Sequence, residues 1–143
     1  MNQINKYLNH ITWLFNALKE HNKILNQDLK YKMNDKVFIN NKNFQKYFYF
    51  FSIYLKLANN IEKGYQLIIT SNKVNRTSIY TLKNTYLIRC AIQFKNAGNY
   101  LKSARQEIFS KNSLSLIFSE MKNIASLLMQ LESDMNFLIM NLY

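Results

Sequence analysis

The chain has 143 residues, 48% hydrophobic and 15% aromatic, with 19 lysines and arginines against 8 acids. That length and apolar content supply a sizeable core and exclude a chain disordered by composition. With no proline and two glycines, Gly64 and Gly98, an all-β fold lacks its turn residues, and one cysteine, Cys90, excludes an intramolecular disulfide.

The first segment carries Ile4, Leu8, Ile11, Phe15, Leu18, Leu25 and Leu29 in alternating steps of four and three, with Asn22 filling one step. That spacing predicts a helix of about 30 residues. Tyr7, Leu14, Ala17 and Ile24 widen its stripe. A buried asparagine fixes helix register at a cost in stability, so the expectation for Asn22→Leu is a higher melting temperature. Trp13 projects to the other side, in a row with Lys6, Glu20 and Gln27. A tryptophan there reads as a protein-interface anchor or as a ring covered by the connection that follows. His10, His21 and Asp28 can align on one side, but no further His or Cys completes a zinc set, so they read as the polar border of the seam.

Asn34-Asp35 and Asn40-Asn41 punctuate a connection over residues 34 to 42. A second helix begins near Asn43, its seam formed by Phe44, Tyr47, Phe48, Phe51, Tyr54, Leu55, Ala58, Ile61 and Tyr65. Five consecutive aromatics, Tyr47 to Phe51, wrap round a helix and cannot all face one core. Phe50 falls at the flank of the seam and Tyr49 points away, with Ile53 one turn on and Lys42, Lys46, Lys56 and Lys63 on the same outward side. Lysines so placed can neutralise phosphates, and an exposed ring can stack on a base or pack on a partner; the plainer reading is a solvated lysine face with a tyrosine that codon bias tolerates. Leu67 to Thr70 and Thr77 to Leu82 can pair as a short hairpin, but the helical periods running into them favour helix on both sides of a turn.

The third helix carries Ile79, Leu82, Tyr86, Cys90, Phe94, Ala97, Leu101, Ala104 and Ile108, with Asn96-Ala97-Gly98-Asn99 a candidate kink. Lys95, Lys102 and Arg105 lie off its seam, and Cys90 reads as a small buried hydrophobe. Ser110, Lys111 and Asn112 form the next connection. The last helix repeats Ile117, Met121, Ile124, Leu128, Leu131, Met135, Leu138 and Leu142, with Ser119, Ser126 and Ser133 opposite. Its apolar end either docks in the bundle or meets a second copy, which makes a homo-oligomer one expectation. Together these elements predict an all-α, up-down-up-down four-helix bundle in one domain, residues 1–143.

The charge is uneven. Residues 1–40 carry +3, residues 41–111 carry +10 and residues 112–143 carry −2, for a net +11. Lysine-rich codons are A/T-rich, but so are those of glutamate, so genome bias does not explain the imbalance. A field gathered on the middle helices points to an acidic partner: nucleic acid, an anionic membrane surface or an acidic protein. Catalytic signatures are missing: no His-Glu-x-x-His, Cys-x-x-Cys, phosphate loop or nucleophile elbow, and no histidine after Arg76 to make the arginine–histidine pattern of HEPN-type ribonucleases. No cofactor or metal is expected. The start of the chain lacks a signal-peptide core and no run reaches a membrane span, so the expectation is a soluble protein of the cytoplasm or an organelle matrix. The leading reading is a non-catalytic bundle binding nucleic acid or a ribonucleoprotein through Lys42, Lys46, Tyr49, Lys56, Lys63, Lys95, Lys102 and Arg105. The alternative is a protein-interaction module: a secretion chaperone, an immunity protein, or an inhibitor of host or phage machinery.

Overall fold

The computed structural model describes residues 2–108 and 114–143, which are mostly helical with no strand among them. Helix α1 (Asn2–Lys32) follows the long apolar stripe to its end. Asp35, Asn41 and Asn75 become N-caps, each accepting one of the amide protons a first helical turn leaves unpaired. Asp35 caps the one-turn α2 (Lys36–Ile39) through the Val37 N–H, at 2.9 Å. Asn41 caps α3 (Lys42–Thr70) through the Phe44 N–H, also at 2.9 Å. Asn75 and Ser78 form a reciprocal capping box on α4 (Arg76–Thr81), after a turn in which Asn72 adopts a φ of 56°. The hairpin alternative is therefore excluded: Leu67 to Thr70 end α3, and Thr77 to Leu82 open the next helix.

That next helix departs from its expected seam. α4 runs into a π-helical turn, Leu82–Leu87, and then into α5 (Ile88–Glu107). The periodic pattern assigned Tyr86 to the core; instead Leu87 is buried and Tyr86 is exposed. A π turn inserts one residue, so the core step from Leu82 becomes five rather than four. The insertion sends a leucine inward and leaves a phenol in water. No break falls at Asn96–Asn99: Gly98 lies inside a continuous α5, where an added Cβ would sit 3.8 Å from the Met121 methyl. Helix α6 (Ser115–Asn141) closes the fold. The connection assigned to Ser110, Lys111 and Asn112 lies outside the described residues.

Cross-helix contacts give the topology. His10 meets Asp134 and His21 meets Glu120, so α1 and α6 are antiparallel. Tyr54 meets Asn22 and Tyr65 meets Leu8, so α1 and α3 are antiparallel. Phe50 stacks on Tyr100 and Asn41 bonds Glu107, which sets α3 against α5. Arg105 lies over Phe118, which sets α5 against α6. The closest packing is within two pairs, α3 with α5 and α1 with α6. The result is the up-down-up-down bundle expected from the pattern, with buried residues of every long helix in one hydrophobic cluster.

The core is unusually rich in tyrosine, and each phenol finds a partner. Tyr65 donates to the Leu8 carbonyl at 2.6 Å, Tyr47 lies 3.8 Å from the Met121 sulfur, and Tyr54 donates to Asn22 Oδ1 at 2.7 Å. Asn22 is therefore the acceptor for a fully buried hydroxyl, which overturns the expectation that leucine there raises the melting temperature. Removing the acceptor strands the phenol, at a cost of about 1–3 kcal/mol. At the far end of α6, Phe137 stacks on Tyr7 with centroids 3.9 Å apart and the Arg76 N–H bonds the Tyr143 carbonyl, so this end docks in the bundle. Among the described residues no helix is long and apolar enough to cross a membrane.

Candidate nucleic-acid interface

Helix α3 divides its aromatic run by angle. Tyr47 and Phe51 are buried, Phe48 and Phe50 are half-buried, and Tyr49 is 61% exposed. Lys42, Lys46, Lys56 and Lys63 are all exposed, with Ile53 half-buried among them. Lys42, Tyr49, Lys56 and Lys63 are spaced by seven residues, so they stand in one row about 10 Å apart along a single rigid helix. Tyr49 takes the place a lysine would hold in that row.

The tyrosine is supported from beneath. Its ring meets the Phe50 ring edge-on, with centroids 5.3 Å apart and planes at 77°. Phe50 in turn stacks flat on Tyr100 of α5, at 5.4 Å and 4°. The Lys46 ammonium caps the other end of this stack, 5.2 Å from the Tyr100 centroid. Periodicity did not reveal Tyr100 as part of this cluster. Its signal was weak: one aromatic among the asparagines of α5, whose partner Phe50 sits a helix away.

The remaining basic residues assigned to the interface turn elsewhere. Lys95 lines a groove between α5 and α6, and Arg105 lies 4.9 Å from the Phe118 ring of α6. Lys102 is exposed on the flank it shares with Lys95 at seven-residue spacing. Tyr100, which faces α3, is about 140° round α5 from Lys95 at 100° per residue. The structure thus keeps Lys42, Lys46, Tyr49, Lys56 and Lys63 together and separates Lys95, Lys102 and Arg105 from them.

The acids explain why the α3 row is uncompensated. Asp28 pairs with Lys32 at 2.9 Å, Glu62 with Lys19 at 3.4 Å, and Asp35 caps α2. Glu107 accepts from the side chains of Asn41 and Asn43. Asp134 and Glu120 of α6 take the two histidines of α1, with His21 Nδ1 2.6 Å from Glu120 Oε2. Of the eight acids, Glu20 and Glu132 are left. Among the described residues no carboxylate pairs with Lys42, Lys46, Lys56 or Lys63. His10, His21 and Asp28 do not converge: each has its own partner on the border of α1. Among the described residues no three His, Cys, Asp or Glu side chains gather as a metal site requires.

Cys90 is buried beneath the Tyr54 carbonyl, and burial pushes its thiol up from 9.0 to about 12, which favours the protonated thiol. Trp13 is 59% exposed and stacks beside His10 with centroids 5.9 Å apart. The connection over residues 34 to 42 does not cover it, because Phe38 packs on Phe44 instead. A second surface, which the sequence did not single out, is the groove of about 460 Å³ between α5 and α6, lined by Ile88, Ile92, Ala125 and Met129 with Lys95 and Glu132 at its edges. Comparison of the chain with protein-family models, curated proteins and solved structures returns no match.

Proposed function

We propose that the protein is a non-catalytic nucleic-acid-binding bundle that acts through the outward face of α3. The observation that carries this reading is the face with Lys42, Lys46, Lys56 and Lys63, exposed and, among the described residues, without a carboxylate partner, while six of the eight acids are engaged elsewhere. Unpaired ammonium groups along a rigid helix release counterions from a phosphate backbone at little cost in internal contacts. Nothing in the row reads base edges, so binding is led by backbone and shape.

A second reading, a protein-interaction module, is supported by the exposed Trp13 and by the apolar α5–α6 groove. One purification separates the two. After a wash at moderate salt, the nucleic-acid reading expects a raised 260/280 absorbance ratio that falls at high salt. Affinity for nucleic acid should then drop with salt at a log–log slope of about −3, for four lysine–phosphate contacts. A stoichiometric protein that survives high salt, with no measurable nucleic-acid affinity, would select the second reading.

A further inference from the structure

The row on α3 does more than supply charge. A strip meant for phosphates alone has no use for an aromatic ring at its centre, and burial in a duplex stack puts base faces out of that ring's reach. Tyr49 stands between Lys42 and Lys56, and its ring is braced by Phe50, which is itself clamped flat against Tyr100 beneath Lys46. A braced ring loses little freedom on binding and so is pre-organised as a platform. From these contacts we infer that the face binds single-stranded nucleic acid, with one unpaired base stacked on Tyr49 and phosphates about three nucleotides to either side on Lys42 and Lys56. This rests on the nucleic-acid reading above and specifies its ligand.

The geometry sets the scale. Lys42 to Lys63 spans about 32 Å of helix. A stacked strand covers that length with about nine nucleotides, at 3.4 Å each. Stacking is indifferent to base identity, since every base has a π-face, so sequence preference is weak. Phenylalanine keeps the stacking face and leucine keeps only the bulk, which separates stacking from plain hydrophobic contact.

The test is fluorescence anisotropy with labelled oligothymidylates of 6, 9, 12 and 20 nucleotides and a 20-base-pair duplex, at one salt concentration. The full chain is compared with Tyr49→Phe, Tyr49→Leu and Tyr49→Ala. Tyr49 is exposed, so each variant should keep the wild-type circular dichroism and melt. The expected result is tighter binding to single strands than to duplex, a gain in affinity that levels off near 9 to 12 nucleotides, and a loss of about 5- to 100-fold for Ala and Leu but not for Phe. Equal or tighter binding to duplex, or an unchanged affinity in Tyr49→Ala, overturns the inference. Either result leaves the lysine row as a phosphate-binding strip, provided its removal still weakens binding. No binding to any of the probes refutes both this inference and the reading beneath it.

Discussion

The two tight helix pairs of this bundle use charge in opposite ways. Between α1 and α6, two histidines and two carboxylates meet across the joint, and Asp134 is buried there with His10 as its partner. Between α3 and α5 the joint is aromatic, Phe50 on Tyr100 and Tyr54 on Phe94, and the lysines stand outside it unpaired. Charge on the first pair is structural, because a buried carboxylate needs its donor. On α3, Lys46 lies over the Tyr100 ring and Glu62 meets Lys19, while Lys42, Lys56 and Lys63 make no ion pair among the described residues. A bundle that engages six of its eight acids in a cap, in ion pairs and in side-chain hydrogen bonds elsewhere leaves its lysine field without carboxylate partners on one helix.

The largest expected effect falls on the aromatic side. Burial raises the Tyr47, Tyr54 and Tyr65 phenols above 10.0, with the Asp28 charge adding to Tyr47, and raises the Cys90 thiol to about 12. The folded chain holds these protons after the unfolded chain has released them. Stability is therefore full below about pH 9 and falls as the pH rises through 10 towards 12. Tyrosinate absorbance near 295 nm should show a delayed step that coincides with loss of helical circular dichroism. Smooth titration of every tyrosine near pH 10 with helix retained would contradict the buried network.

Next in size are the two polar contacts of α1. Asn22→Leu should cost about 1–3 kcal/mol in urea unfolding by orphaning the Tyr54 hydroxyl, and adding Tyr54→Phe should recover much of that loss. A lower stability for the double variant than for Asn22→Leu would mean that the hydroxyl has another role. His10→Leu should cost a similar amount by stranding Asp134. Smaller again, Gly98→Ala should raise stability by about 0.5–1 kcal/mol, since its Cβ meets Met121 at ordinary contact distance. Gly64→Ala should gain less, because Leu82 lies at 3.3 Å and must yield.

Much of this was legible in the sequence. The seams of α1, α3 and α6 follow simple periodicity, and the outward angle of Tyr49 follows from counting residues. What escaped was whatever depends on a neighbouring helix. The π turn at Leu82–Leu87 breaks the period from within, so Tyr86 read as core. Asn22 read as an interruption, because its partner Tyr54 is 32 residues away. His10 and His21 read as a loose border, because the carboxylates they meet lie on α6. Lys95 and Arg105 were correctly placed off the seam of α5, but periodicity gives no sign of which neighbour that flank faces.

If the α3 face binds nucleic acid as proposed, the position of its lysines matters more than the total charge. Two charge-matched variants test it: Lys42, Lys46, Lys56 and Lys63 to Gln, and Lys6, Lys23, Lys30 and Lys36 to Gln, each taking the net charge from +11 to +7. All eight lysines are exposed, so both proteins should unfold within about 0.5 kcal/mol per substitution of the parent. Salt titrations of single-stranded binding should then differ: the α3 variant loses affinity and its log–log slope flattens by about 3, while the control keeps nearly the parental slope. Equal losses in the two variants would contradict the account.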